Sequence, residues 1–107
     1  MKYGDLVTIA LQGEFRKPRP ALVVQSALFT EHSTITVLLL TSSLVDAPLL
    51  RVTLEPDGNS GLQKPSQVMI DKTMTIRREK IGEPFGFVNN EVMQTIRRLQ
   101  AVFLNIV

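Results

Sequence analysis

With 107 residues, 44% of them apolar and 21% charged, the chain has enough hydrophobic content for one compact core, which excludes a disordered polypeptide and argues for a single domain over 1–107. It contains no cysteine, so disulfide frameworks, thiolate nucleophiles and cysteine–zinc sites are excluded. A net charge of +2 does not by itself imply nucleic-acid binding, although the positive residues bunch at Arg16, Lys17 and Arg19, at Lys72, Arg77, Arg78 and Lys80, and at Arg97 and Arg98.

The start, Met1-Lys2-Tyr3-Gly4-Asp5, lacks the apolar core of a signal peptide, and no apolar run nears the roughly 20 residues of a membrane span. A cytoplasmic protein with no membrane contact is the expectation. After the Gly4-Asp5 turn, residues 6–11 read as a first strand and 12–18 as the loop behind it. Lys17-Pro18-Arg19-Pro20 then runs straight into Ala21-Leu22-Val23-Val24, so a second strand is expected from Arg19 to about Gln25. Each proline fixes its own φ and pushes the preceding residue toward extended backbone. Arg19 is therefore a positioned cation, and its planar fork of donors matches the oxygens of a phosphate.

Ile35-Thr36-Val37-Leu38-Leu39-Leu40 is a continuous β-branched and leucine run, the pattern of a strand buried on both faces, and it ends at Thr41-Ser42-Ser43. Residues 50–54 alternate apolar and polar side chains as a half-buried strand does, and 56–61 form a turn. Residues 67–71 supply a further strand, which 73–76 either continue or leave by bending onto the sheet edge. The final segment changes period: Val92, Ile96, Leu99, Phe103 and Ile106 fall on one helical stripe, with Asn89 or Asn90 as cap and Glu91 in the first turn. Short strands followed by one helix predict a mostly β fold, a small antiparallel barrel-like sheet with a C-terminal helix packed on it.

Three features meet at one end of such a sheet: Arg19 where the second strand begins, Thr41 and Ser42 where the third ends, and Asp71 at the end of a later strand. The hydroxyls donate to phosphate oxygens, and Asp71 offers an acceptor or base. Each alone has a plainer reading, since a Thr-Ser pair after a strand makes turns and an aspartate beside Lys72 makes a solvated ion pair.

The same residues carry a family resemblance. Gly4-Asp5-Leu6-Val7, then Arg19-Pro20-Ala21-Leu22-Val23-Val24 after a short polar loop, then Thr41-Ser42 after an apolar strand resemble the pattern of PemK/MazF-type toxins. The segment 68–76 is similar to the family's later strand, and with the terminal helix the likeness covers nearly the whole chain. The resemblance implies an SH3-like barrel, a homodimer, a metal-independent endoribonuclease acting on single-stranded RNA, and inhibition by a cognate antitoxin protein. It places Arg19 at the family's catalytic arginine, Thr41 at its catalytic threonine with Ser42 beside it, and Asp71 at an acidic position that some members use. The chain departs from the pattern in its 12–18 loop, which is shorter than the family's glycine-rich loop, and at Met74, where many members have arginine.

Such an enzyme needs no metal if the RNA 2′-hydroxyl attacks the adjacent phosphorus, leaving a 2′,3′-cyclic phosphate and a 5′-hydroxyl and sparing DNA. Arg19 and Thr41 suit the charge that builds on the non-bridging oxygens, and Asp71 is the candidate base. His32 is the only histidine, which excludes a two-histidine mechanism within one chain; it either approaches RNA or titrates in its loop. Phe15 either stacks on a base or anchors its loop. Arg16, Lys17, Lys72 and Arg77 are candidates to hold phosphates, without choosing sequence. Arg97 and Arg98 read as a wet helix face, and Met69, Met74 and Met93 as core or interface filler. Two rival functions remain: a CcdB-type toxin that poisons gyrase by binding, disfavoured by the tryptophan-free C-terminus, and an inactive barrel that binds RNA or antitoxin.

Overall fold

The computed structural model describes residues 1–10 and 17–106. Its strands in chain order are β1 (Asp5–Ile9), β2 (Arg19–Val23), β3 (Thr34–Thr41), β4 (Arg51–Leu54), β5 (Ser66–Arg77) and β6 (Gly86–Phe87), followed by the helix α1 (Asn90–Phe103). They form a six-stranded sheet in the order β4-β5-β3-β2-β1-β6 with every pairing antiparallel. The apolar run that suggested a doubly buried strand is β3, which lies between β2 and β5.

Side-chain alternation explains how one sheet carries two cores. Leu6, Leu22 and Leu38 are register neighbours on one face, where they join Leu40, Val68 and Ile70 beneath Met93 and Ile96 of α1. The intervening positions, Val7, Ala21, Val23 and Val37, face the other way and cluster with Ile9, Ile35 and Ile76. Met74 packs at the margin of this second cluster, so the residue that departs from the family's arginine serves as filler there.

β5 is one strand of 12 residues rather than two, so residues 73–76 continue it. It does not run straight, however: its partner on β3 changes from Thr73 opposite Leu38 to Val68 opposite Leu40, and the extra residues, Asp71 among them, form a bulge. The first part of β5 carries β4 on its outer side, from Arg51 opposite Met69 to Leu54 opposite Ser66.

Gly4 and Gly86 are among the glycines that the backbone requires. Gly4 has φ +94 in the turn that leads into β1, where the Lys2 N–H donates to Asp5 Oδ2 at 2.8 Å, and this accounts for the Gly-Asp pair. At Gly86 a Cβ would collide with the Ser60 carbonyl oxygen, because the 57–61 turn lies directly against β6 and Phe87 N–H donates to the Asn59 carbonyl at 2.9 Å. Gly86→Ala is therefore expected to lower stability by about 1–3 kcal/mol, read as a reduced urea midpoint, since backbone rather than a flexible side chain must move.

Asn89, not Asn90, caps α1: its Oδ1 accepts from the Val92 N–H at 2.9 Å, and Glu91 follows in the first turn. The helix stops at Phe103, so the expected stripe is cut short and Ile106 lies outside it, 71% exposed. Asn105 takes the left-handed conformation at φ 58 and donates to the Val102 carbonyl, while Ile106 N–H returns to the Ala101 carbonyl. That pair of bonds is a Schellman stop, which satisfies the last carbonyls and turns the chain away. Among the described residues no helix is long and apolar enough to cross a membrane.

Candidate RNA-cleavage site

Antiparallel pairing of β2 with β3 sets the start of one strand beside the end of the other. Ala21 pairs with Leu39, and carrying that register two residues further brings Arg19 opposite Thr41. Both line an open groove of about 770 Å³, together with Lys17, Ser42, Leu62, Gln63, Lys64 and Ser66. Arg19 and Ser42 are exposed and Thr41 half-buried, so the groove is open to a large anionic ligand. Lys17, Arg19 and Lys64 give it a positive lining.

The Thr41 hydroxyl oxygen accepts from the Ser43 N–H at 3.0 Å. With that lone pair engaged, the hydroxyl proton points away from the amide and is available to an acceptor in the groove. Lys17 and Ser42 line the same groove as Arg19 and Thr41.

The remaining predicted residues fall elsewhere. Asp71 sits in the β5 bulge and is not part of the groove lining; its carboxylate is 3.6 Å from Lys72 Nζ, the solvated pair that the sequence also allowed. Lys72 goes with it. Arg77 pairs with Thr34 at the far end of β3, whereas Thr41 pairs with Gln67, so roughly 23 Å of strand separate them. Arg77 is turned to Glu79 at 3.6 Å. Asp71, expected to meet Arg19 and Thr41 at one end of the sheet, and the phosphate candidates Lys72 and Arg77 are not among the residues that line the groove, because the bulge and the length of β5 carry them along the sheet. Arg77→Ala is accordingly expected to leave the cleavage rate within about two-fold of parental in a single-turnover assay, as for a surface substitution away from the chemistry.

Phe15 and Arg16 lie outside the described residues. His32 lies at the Arg77 end of the sheet, its carbonyl accepting from Arg78 Nε at 3.1 Å, which makes it a loop residue distant from Thr41. Arg97 lies over the Tyr3 ring, 5.1 Å from its centroid, on the outer face of α1.

The segment from Leu62 to Ser66 was missed by the sequence reading. Its signal was present: Lys64-Pro65 before an apolar strand repeats the Lys17-Pro18 arrangement that precedes β2. Both lysine–proline pairs arrive at the same groove, because β2 and β5 flank the end of β3 from opposite sides.

A sheet of this order closed by a C-terminal helix is found in solved structures. A mycobacterial endoribonuclease in complex with its cognate antitoxin has a TM-score of 0.83 at 20% identity, over 100% of this chain and 97% of that one. The Mycobacterium tuberculosis toxin MazF-mt6 gives 0.80 at 20% identity, over 94% and 96%. A MazE–MazF complex from Deinococcus radiodurans gives 0.78 at 23% identity, over 98% and 96%. These likenesses define a MazF-like fold, an antiparallel half-barrel with a C-terminal helix. A model of the PemK-like, MazF-like toxins of type II toxin–antitoxin systems matches residues 2–104. A curated relative, the probable endoribonuclease MazF of Mycolicibacterium smegmatis, is 38% identical over 107 residues, 99% of this chain and 98% of its own. The chain belongs to the PemK-like, MazF-like toxin family.

Proposed function

We propose that this MazF-type endoribonuclease toxin cuts single-stranded RNA by making the substrate's own 2′-hydroxyl the nucleophile, with Arg19 and Thr41 stabilising the charge that develops on the phosphate. The observation that carries this reading is the strand register that sets a guanidinium and a hydroxyl on one groove. O2′ attacks phosphorus and the P–O5′ bond breaks, giving a 2′,3′-cyclic phosphate and a 5′-hydroxyl. One proton leaves O2′ and one arrives at O5′; the open groove admits water to carry them. Donors fixed before the reaction do most where new negative charge appears, and two prolines and a sheet hold these two in place. Asp71 takes no step in this scheme.

Lys17 and Lys64 hold flanking phosphates on either side of the cleavage point, which strengthens binding without reading bases. A cognate antitoxin is the natural inhibitor, since an acidic segment laid in the same groove covers Arg19 and stabilises the toxin by mass action. A mycobacterial endoribonuclease of the same fold has been solved in complex with its cognate antitoxin, and a Deinococcus radiodurans relative as a MazE–MazF complex. A homodimer completes the reading.

The test is incubation of purified protein with a single-stranded RNA and its DNA counterpart in EDTA, with mass spectrometry of the product ends. Cyclic phosphate ends from RNA and intact DNA are expected. Cleavage of both polymers, or 3′-hydroxyl ends, would overturn the scheme. Light scattering of the same preparation reads the dimer.

A further inference from the structure

A primary amide is costly to bury unless its donors and acceptors are both satisfied. Gln67 is only 6% exposed, and its side chain makes four hydrogen bonds. Oε1 accepts from the Val45 N–H at 3.1 Å and from Arg51 Nη1 at 3.0 Å. Nε2 donates to the Val45 carbonyl at 3.0 Å and to Thr53 Oγ1 at 3.1 Å. The orientation of the amide is fixed by this set, because turning it over would set its NH₂ against the Arg51 guanidinium.

Both backbone groups of Val45 are thus held by one side chain, much as a neighbouring strand would hold them. The same Arg51 nitrogen also donates to the Ser43 carbonyl at 3.3 Å. Burial does not anchor this segment: residues 42–45 are all exposed, Leu44 and Val45 included. Its fixed points are polar, and Gln67 is the buried one. Between them lies Ser43, whose N–H donates to Thr41 Oγ1.

We propose that Gln67 is a positioning residue for cleavage: by holding Val45 and, through Arg51, Ser43, it keeps the Ser43 amide on Thr41 Oγ1 and so aims the Thr41 hydroxyl proton into the groove. The inference rests on the reading of Thr41 as a donor to the reacting phosphate. Gln67 touches no substrate in this scheme. Its effect passes along Val45 and Ser43, in the turn behind β3, to Thr41 at the strand's end. Small displacements of a reacting group cost large factors in rate, so a strap of this kind acts on turnover rather than on binding.

Gln67→Met keeps the length of the side chain and removes all four bonds, while Gln67→Glu keeps the two acceptor bonds and loses the two donor bonds. In Gln67→Met, kcat for RNA cleavage is expected to fall about 10- to 100-fold with KM changed less than about two-fold, and Gln67→Glu to fall between Met and parent. Amide hydrogen exchange at Ser43 and Val45 should quicken in the same order. A folded Gln67→Met with parental kcat overturns the proposal, and so does parental exchange at those two amides. Should Gln67→Met fail to fold, Gln67→Glu carries both measurements. If the parent cuts no RNA, the cleavage reading fails by itself, and the exchange rates alone decide whether Gln67 holds Ser43 and Val45.

Discussion

Arg19→Ala is expected to slow RNA cleavage by about 10²–10³-fold, and Thr41→Ala by a similar factor, with each protein still folded. Both side chains stand at strand ends, where the backbone aims them and their removal leaves the core untouched. The loss should fall mainly on kcat, because an interaction that strengthens as charge moves onto the phosphate contributes little to ground-state binding. Arg19→Lys is expected to recover part of the rate: it restores the charge but not the planar fork. The double variant should lose less than the product of the single losses, since donors that act on one phosphate form a unit. Single-turnover rates against a fluorescent RNA, with melting temperatures as the control, measure all of this. Either alanine variant cutting at the parental rate would remove the site from the groove.

Ile96→Ala is the second large effect, and it concerns stability alone. Ile96 is 0% exposed and is one of the two buried residues of α1, set into the cluster of Leu6, Leu22, Leu38 and Ile70. Removing three carbons there forfeits the transfer energy of the side chain and leaves a hole that the sheet beneath closes only in part. The expected cost is about 2–5 kcal/mol. Against a total of about 5–15 kcal/mol for a domain, that is a large fraction. Urea unfolding should show a lower midpoint with the slope unchanged. Leu28→Ala is the contrast: Leu28 is 89% exposed, and its loss should move the midpoint hardly at all.

The strands that position the site were legible because their signals are local. β3 shows as an unbroken apolar run and β2 as an apolar run entered through Pro18 and Pro20, and the two pair antiparallel. Arg19 and Thr41 came with those strand ends. Asp71, Lys72 and Arg77 did not follow, since their placement depends on where a 12-residue strand bulges, and no residue type announces a bulge. Leu62 to Ser66 reach the groove because the start of β5 pairs with the end of β3, Gln67 opposite Thr41, a contact between segments far apart in the chain. Gln67 was hidden for another reason: a glutamine entering a strand looks like any polar start, and the three residues that take its four hydrogen bonds come from β4 and from the turn after β3. At the other end of the chain the apolar spacing runs on through Ile106 although the helix does not, and Asn105 was the overlooked stop signal.

The close contact of Gly86 with the Ser60 carbonyl bears on how the molecule behaves when many copies are made at once. A bare outer strand is a template on which another chain can add itself, and stacking of that kind ends in insoluble polymer. On this flank β6 has two residues, and the Phe87 amide is already taken by the Asn59 carbonyl. An incoming strand finds no free ladder at β6; among the described residues the longer template is on the opposite flank, where β4 covers only Ser66–Met69 and the rest of β5 has no strand neighbour on its outer side.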